Sequence, residues 1–401
     1  MSNQPVYSMR TPISSLLPKI VVIGLGGGGC NAINRMIENG MQGVTFVACN
    51  TDAQALAHNL SPNKIQLGPK STRGLGAGGL PAVGEAAAEE SYRELASIME
   101  GAEMVFLTAG MGGGTGTGSI PVAARVAKAV GAVTIAIVTR PFSFELGRRQ
   151  KNCDAGLEKL RQFTDTLIVI PNDKLIEVAP RDLPLEMAFT LADDVLRQGV
   201  QGISELITET GLINVDFSHV KNVMQQGGGA LLSIGTGTGP DRIKQAIDKA
   251  LHHPLLEEID LYSATHMIAN FTGNANMAFR DVTDALQLLQ EASGFHAEII
   301  PGVITDARME DRVQLILIVT GIGVKRNNPL KTQPEMTFRE PLAQTPVQPP
   351  APAPQPGYPD KASILAGIRE VDTTNIVGQR IDQDERLDVP AFLRRRSYQS
   401  K

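Results

Sequence analysis

Gly110-Met111-Gly112-Gly113-Gly114-Thr115-Gly116-Thr117-Gly118-Ser119 lies between an apolar run and a segment of helical spacing, and its reading decides the fold. The run before it, 104–109, is short and rich in Val, Phe and Leu, which predicts a buried strand. From Ile120 apolar residues recur at helical spacing through 130. Successive glycines let backbone N–H groups turn inward without a Cβ clash, and the helix behind adds unbonded N–H groups and a positive dipole end. Such a turn suits an anion of high charge density, a phosphate above all.

A second turn, Gly24-Leu25-Gly26-Gly27-Gly28-Gly29, follows a strand over 19–23 and precedes a helix opening at Asn31. Gly24, Gly26 and Gly29 have the dinucleotide-binding spacing. Alone, that spacing fits a tight turn as well as a phosphate site. Two such turns after two strands point to nucleotide binding, because both leave the carboxyl edge of a parallel sheet, where ligands of open α/β folds collect.

Further along, strands over 44–49, 104–109, 134–139 and 166–171 alternate with helices over 82–99, 120–130 and 148–163. This is βαβ order, with helices on both faces of a parallel sheet. The helical pattern over 185–209 is too long for a routine crossover and reads as a spine, stopped by Gly211. Beyond it come an apolar run at 230–234, helices over 241–252 and 279–292, and strands over 266–271, 298–305 and 313–320, which make a second, smaller α/β domain. The fold class expected is α/β, with a Rossmann-like parallel-sheet domain over 19–184, a central helix over 185–210 and a C-terminal α/β domain over 211–325. A disordered extension over 1–18, a disordered linker over 326–385 and a terminal peptide over 386–401 complete the division. The Pro-rich stretch 346–357 has a composition that cannot bury a core.

The 401 residues allow a sizeable core, and 42 acidic against 37 basic residues give a net charge of −5 that asks for neither nucleic acid nor an anionic membrane. Cys30, Cys49 and Cys153 are too few and wrongly spaced for a zinc site or a disulfide framework, which suits a reducing cytoplasm. No secretory signal and no membrane-length apolar run is expected.

Base and sugar contacts distinguish one nucleotide from another. Phe189 and Asp193, four apart, share a helix face on which a ring could stack on a base while a carboxylate accepts from its edge; core packing and a solvated carboxylate explain the pair equally well. A carboxylate accepting two adjacent N–H donors suits guanine better than adenine. Glu145 and Arg149, also i and i+4, read either as a local ion pair or as a clamp on ribose and phosphate.

The segment GGGTGTG at 112–118 is the tubulin-type signature, and the chain resembles the bacterial FtsZ family of tubulin-type GTPases. The likeness runs through GGGGCNA at 26–32, NTD at 50–52, GLGAG at 74–78, RPFSFE at 140–145, IPND at 170–173 and NVDF at 214–217. It resumes at Leu387-Asp388-Val389-Pro390-Ala391-Phe392-Leu393-Arg394, which is similar to the family's partner-binding peptide. The resemblance implies a cytoplasmic GTPase that binds GTP and GDP with Mg²⁺, assembles head to tail into a homopolymer and forms the scaffold of the mid-cell division ring. It assigns Gly27, Gly28, Gly29, Cys30 and Asn31 to phosphates and base, and Gly114, Thr115, Gly116 and Thr117 to phosphates. Glu145 and Arg149 fall to ribose and phosphate, and Asn172, Phe189 and Asp193 to guanine. No protein metal ligand and no Walker-type lysine are expected. Membrane tethers and regulators would engage Asp388, Val389, Pro390, Phe392, Leu393 and Arg394, with no nucleic acid and no direct membrane insertion; composition alone fits a disordered basic terminus as well.

Hydrolysis in the family takes two subunits, with the loop after the long helix entering the neighbour's site. Here that loop, 211–220, carries Asn214, Asp216 and His219, and His219 stands where relatives usually have a second acid. An imidazole can orient water but cannot supply a carboxylate's charge. Gly79-Leu80-Pro81 likewise replaces the family's Ala-Asn-Pro, which costs a hydrogen bond only if the side chain rather than the backbone faces the phosphate. Three rivals stay open: a nicotinamide oxidoreductase with Asp52 near the ribose, a polymer that binds GTP with little or no hydrolysis because of His219, and a monomeric switch GTPase.

Overall fold

The computed structural model describes residues 18–145, 147–177, 179–180, 182–209, 211–213, 215–226, 229–256 and 261–322. The expectations for Asn214, for the 1–17 part of the extension, for the linker and for the terminal peptide lie outside the described residues. Six strands run parallel in the first half: β1 (Ile20–Leu25), β2 (Thr45–Asn50), β3 (Asn63–Gln66), β4 (Met104–Gly110), β5 (Val133–Arg140) and β6 (Thr166–Pro171). Their spatial order is β3-β2-β1-β4-β5-β6, so the strand order reverses between β1 and β4. At such a switch point the connections on either side diverge and leave a crevice. The two glycine turns leave these two strands.

β1 reads Ile-Val-Val-Ile-Gly-Leu and is buried throughout, as a strand covered on both faces must be. Ile20 and Val22 join one core with α1 (Gly26–Glu38) and the long α8 (Leu185–Thr208). Val21, Ile23 and Leu25 join the opposite core, formed by α3 (Pro81–Glu90), α4 (Tyr92–Met99), α5 (Thr115–Ala129) and α6 (Gly147–Arg161).

The second half continues the sheet with β7 (Gly229–Thr238), β10 (Arg312–Ile322), β8 (His266–Gly273) and β9 (Glu298–Thr305). This half is mixed: β10 lies antiparallel to β7 and β8, while β8 and β9 are parallel. α10 (Arg242–Leu251) and α11 (Phe279–Ala292) cover one face of it, and α8 covers the other. β10 shows the division, since Leu315 and Leu317 face α10 and α11 while Ile316 and Ile318 face the core of α8. Val195, Val200, Ile203 and Leu206 of α8 thus share one core with both halves of the sheet.

Several elements differ from their expected extents. α1 opens at Gly26 and α5 at Thr115, five residues before the expected starts, because glycines carry no side chains from which a helical period could be read. The helix expected over 82–99 is two, parted at Ser91, whose buried hydroxyl accepts from Gly68 N–H at 3.1 Å and ties the break to the end of β3. Short elements were not anticipated: α2 (Ala53–Ala57), β3, α7 (Asn172–Glu177) and α9 (Phe217–Gln225). α9 takes over the end of the segment expected to be a loop through residue 220.

Ile203 is fully buried where α8 meets both halves. Ile203→Ala is expected to cost about 2–4 kcal/mol, read as a lowered urea midpoint, with both halves of the sheet losing protection in amide exchange. A loss confined to one half would contradict the shared core.

Candidate functional site

The two glycine turns touch. Gly26 has φ +70° and its missing Cβ would lie 2.7 Å from Gly116 N, while Gly116's would lie 3.1 Å from Leu25 O. Gly29 packs on β4, where a Cβ would meet Thr108 O at 2.3 Å. Only glycine permits this approach, and it brings the N-termini of α1 and α5 together at the switch point. Neither terminus is capped by a side chain and neither has an acidic residue in its first turn, so both positive ends are left open to an anion. Gly27, by contrast, faces open space. Side chains steady the turns from behind: Thr117 Oγ1 accepts from Gly112 N–H at 2.8 Å, and the Thr115 and Thr51 hydroxyls bond at 2.6 Å. Cys30 turns its thiol into the core towards Cys49 O, and burial pushes that thiol up to about 12, so only its backbone can face a ligand.

The 74–81 segment closes one side. Gly114 abuts Leu80 N, where a Cβ would come within 2.8 Å, and Asn152 donates to the carbonyls of Gly79 and Gly112. The Leu80 side chain itself is exposed. The segment therefore meets the Gly112–Gly118 turn through backbone.

Opposite, Glu145 and Arg149 form an ion pair of 2.9 Å, and Glu145 also accepts from Phe142 N–H at 2.9 Å. Burial raises the Glu145 carboxyl, and Arg149 opposes the rise. Phe142 stacks on Phe144, and both meet the edge of Phe189, with centroids 5.3 Å apart for Phe142 and Phe189. Asn172 opens α7; it is buried and its Oδ1 has no hydrogen-bond partner. Asp193 is held by Asn31 and stands 3.9 Å from Arg35 Nε, and burial lifts its carboxyl to about 7 against the pull of Arg35. Asp194 points elsewhere, bonded to Arg197 and Gln198.

A buried acceptor without a partner, a nearly buried carboxylate and two open helix ends fit a ligand with N–H donors at one end and phosphates at the other. Guanosine nucleotides have that form. Among the described residues no group of three His, Cys, Asp or Glu could hold a metal ion. Asp52, the acid of the oxidoreductase reading, is committed as the N-cap of α2 by accepting from the amides of Gln54 and Ala55.

Asp216 and His219 stand apart from this cluster. α8 has 24 residues, so it spans about 36 Å, with Asp193 near its start and residues 211–220 beyond its end. Leu212 N–H donates to Val303 O at 2.8 Å, which fastens that segment to β9. Asp216 is exposed and caps α9 by accepting from Ser218 N–H at 2.8 Å, a bond that holds its carboxyl below the usual range. His219 follows on the exposed side of the first turn. Arg35, Thr51, Phe142, Phe144 and Asn152 were not singled out from sequence. For Arg35 a signal existed, since it lies one helical turn after Asn31.

A doubly wound sheet with two open glycine-built helix ends at its switch point defines a nucleotide-binding α/β protein. The sequence matches the family profile "Tubulin/FtsZ family, GTPase domain" over 19–180 and "FtsZ family, C-terminal domain" over 228–323. A solved FtsZ dimer from M. jannaschii, described as empty, is 45% identical over 77% of this chain and 89% of its own, with a TM-score of 0.73. A tyrosine-for-tryptophan mutant of the M. jannaschii FtsZ gives 44%, 77%, 93% and 0.74 in the same measures. A GTPγS-bound protofilament of CetZ2 from Haloferax volcanii, 21% identical over 76% of this chain and 93% of its own with a TM-score of 0.63, bears on the fold alone. The chain belongs to the tubulin/FtsZ GTPase family, on its FtsZ branch, and is by family a GTP-binding cytoskeletal GTPase of the cell-division class. Among the described residues no helix is long and apolar enough to cross a membrane.

Since burial raises Asp193, the folded protein binds its proton more tightly than the unfolded chain does, and the nucleotide-free protein gains stability as pH falls from about 7 towards 3.8. Asp193→Asn is expected to remove that dependence and to raise stability above neutrality by about 1–2 kcal/mol, less than the full shift because Arg35 loses its partner. Thermal unfolding across pH, beside a GDP-binding assay that the variant fails, checks both halves of this expectation.

Proposed function

We propose that the chain hydrolyses GTP in a site completed between two copies, assembled head to tail into a filament that scaffolds the division ring. The observation that carries this reading is the length of α8: the nucleotide cluster lies at one end and Asp216 at the other, more than about 20 Å of helix beyond Asp193. One molecule's 211–220 segment, fastened to β9, does not reach its own glycine turns, whereas a copy stacked end to end brings it over its neighbour's. Exposed apolar side chains favour such stacking, with Leu75, Leu80, Phe144 and Met187 at the nucleotide end and Leu212 at the other. The M. jannaschii FtsZ dimer supports self-association by analogy.

In this reading the backbone N–H groups of Gly27–Cys30 and Gly114–Thr117 hold phosphates, and Glu145 and Arg149 reach the ribose and phosphate. Asn172 and Asp193 accept from guanine while Phe189 covers its face. Mg²⁺, when bound, supplies charge neutralisation on the phosphates. Asp216 of the neighbouring copy, ionised at all physiological pH, orients the attacking water and accepts its proton, with Asn214 and His219 beside it. The domain division at 184, 210 and 325 follows the same plan. The 386–401 peptide docks tethers and regulators at mid-cell.

The GTPase rate per subunit is expected to be near zero at low protein concentration and to rise together with light scattering. Asp216→Asn keeps the cap of α9, since asparagine caps as well as aspartate, but should lower turnover at least about 100-fold while leaving GDP binding intact. A rate independent of concentration would overturn the shared site.

His219 tests the alternative of a polymer with little turnover. An acid at this position, in the first turn of α9, suits the helix dipole and should fold. His219→Asp is expected to speed hydrolysis and shorten filament lifetime; an unchanged rate in the variant would remove the imidazole from the account of turnover.

A further inference from the structure

α1 sets two side chains against one carboxylate. Asn31 hydrogen-bonds Asp193, and one turn later Arg35 crosses to α8, where its Nη2 donates to Thr190 Oγ1 at 3.1 Å and its Nε stands 3.9 Å from Asp193 Oδ2. That Nε is buried and makes no hydrogen bond, and the Asp193 carboxylate is an acceptor 3.9 Å from it. The side chain is therefore anchored at its tip by Thr190 and leaves a desolvated N–H and its charge beside Asp193. The groups facing Asp193 are Asn31 and Arg35 from α1 and Asp194 from its own helix, whose carboxylate is taken up by Arg197 and Gln198.

The protonation state of Asp193 decides which base it accepts. Guanine presents N1–H and an exocyclic amine side by side, two donors that match an ionised carboxylate with two acceptor oxygens. A protonated carboxyl turns one O–H towards a donor and loses that match, and its donor–acceptor pair fits adenine's N1 and amine instead. Burial favours the protonated form; Arg35 is the largest influence opposing it.

We propose that Arg35 is the positioning residue for base recognition, its Thr190-anchored guanidinium holding Asp193 in the ionised form that accepts guanine. The proposal rests on the reading of Asp193 as guanine's acceptor. Loss of the charge then weakens GDP binding near neutral pH but not in alkaline solution, and narrows the preference for guanine over adenine.

Calorimetric titration of GDP and ADP into the full-length protein from pH about 6 to about 8.5 tests this. For the wild type, GDP affinity is flat in alkaline solution and falls by up to about tenfold per pH unit below a break near neutrality. Arg35→Gln should move the break upward by roughly one unit, so that GDP binds about fivefold more weakly at neutral pH, approaching about tenfold below it, and about equally at the alkaline end, while ADP gains relative to GDP. The nucleotide's own phosphates titrate alike in both proteins, so the difference between them isolates the site. Arg35→Lys, which keeps the charge, should restore the wild-type break. Thr190→Val, which removes the anchor and not the charge, should move the break the same way by less, and decides the matter if Arg35→Gln does not fold. A uniform loss of affinity at every pH, or an unmoved break in both the Arg35→Gln and Thr190→Val variants, overturns the proposal. Failure of the wild type to bind GDP at any pH would instead bring down the guanine reading beneath it.

Discussion

The approach of Gly26 to Gly116 is the contact on which the rest of the site depends. β1 and β4 are neighbours across the reversal of strand order, and their helices leave on diverging paths. Only because neither turn carries a Cβ at the point of contact can α1 and α5 begin side by side. A methyl group on either would push one helix start away and open the anion cradle. Behind it the steric demand continues, since Gly118 sits against Pro81 O and Gly84 against Gly114 O, at gaps a Cβ could not enter. The glycines are thus a packing requirement first, and the exposed amide ends are what that packing leaves free.

The site is costly to the protein in isolation. Two helix ends lack caps, Asn172 Oδ1 is buried without a partner, and the Asp193 carboxyl is buried with Asn31 and Arg35 beside it offsetting only part of its desolvation. Each is a desolvated polar group that a nucleotide of the right form would satisfy. Ligand binding therefore stabilises the folded state by mass action, and the apo protein loses stability as pH rises towards about 7 and the Asp193 carboxyl ionises. On the reading proposed above, guanine specificity follows from the same expense, because a base that leaves the carboxylate or Asn172 unpaired forfeits the compensation.

Much of the fold could be read from the sequence because it is written in side chains. β1, β4 and β5 are short, predominantly apolar runs, and the long stripe of α8 has a period no strand could match. The helix starts at Gly26 and Thr115 could not be read in that way, since periodicity needs side chains and the turns have none. The break at Ser91 depends on a bond to Gly68, distant in sequence, and α2 and β3 are too short for pattern to arise. Within the site, Phe189 and Asp193 were visible as a pair whose spacing fits a base contact and ordinary packing equally well. What separates them from ordinary core and surface residues is the tertiary position of Phe142, Asn31 and Arg35. Glu145 and Arg149 form an ion pair, one of the two readings their i and i+4 spacing allows. α9 had a legible start, with Asp216 as cap and Phe217, Val220 and Met224 at helical spacing.

The two ends of α8 differ in electrostatic character, and on the reading proposed above that difference governs assembly as well as chemistry. The nucleotide end presents amide dipoles and Arg149, and becomes strongly anionic once phosphates fill it. The far end presents Asp216, whose carboxylate is kept ionised by the Ser218 amide, and next to it an imidazole in place of a second acid. Stacking one copy on another thus brings one fixed negative charge against the phosphates instead of two. Less repulsion across the junction strengthens the contact, while less negative charge near the attacking water weakens its activation. The substitution of His219 therefore pushes association and turnover in opposite directions, towards filaments that form readily and lose their nucleotide's terminal phosphate slowly.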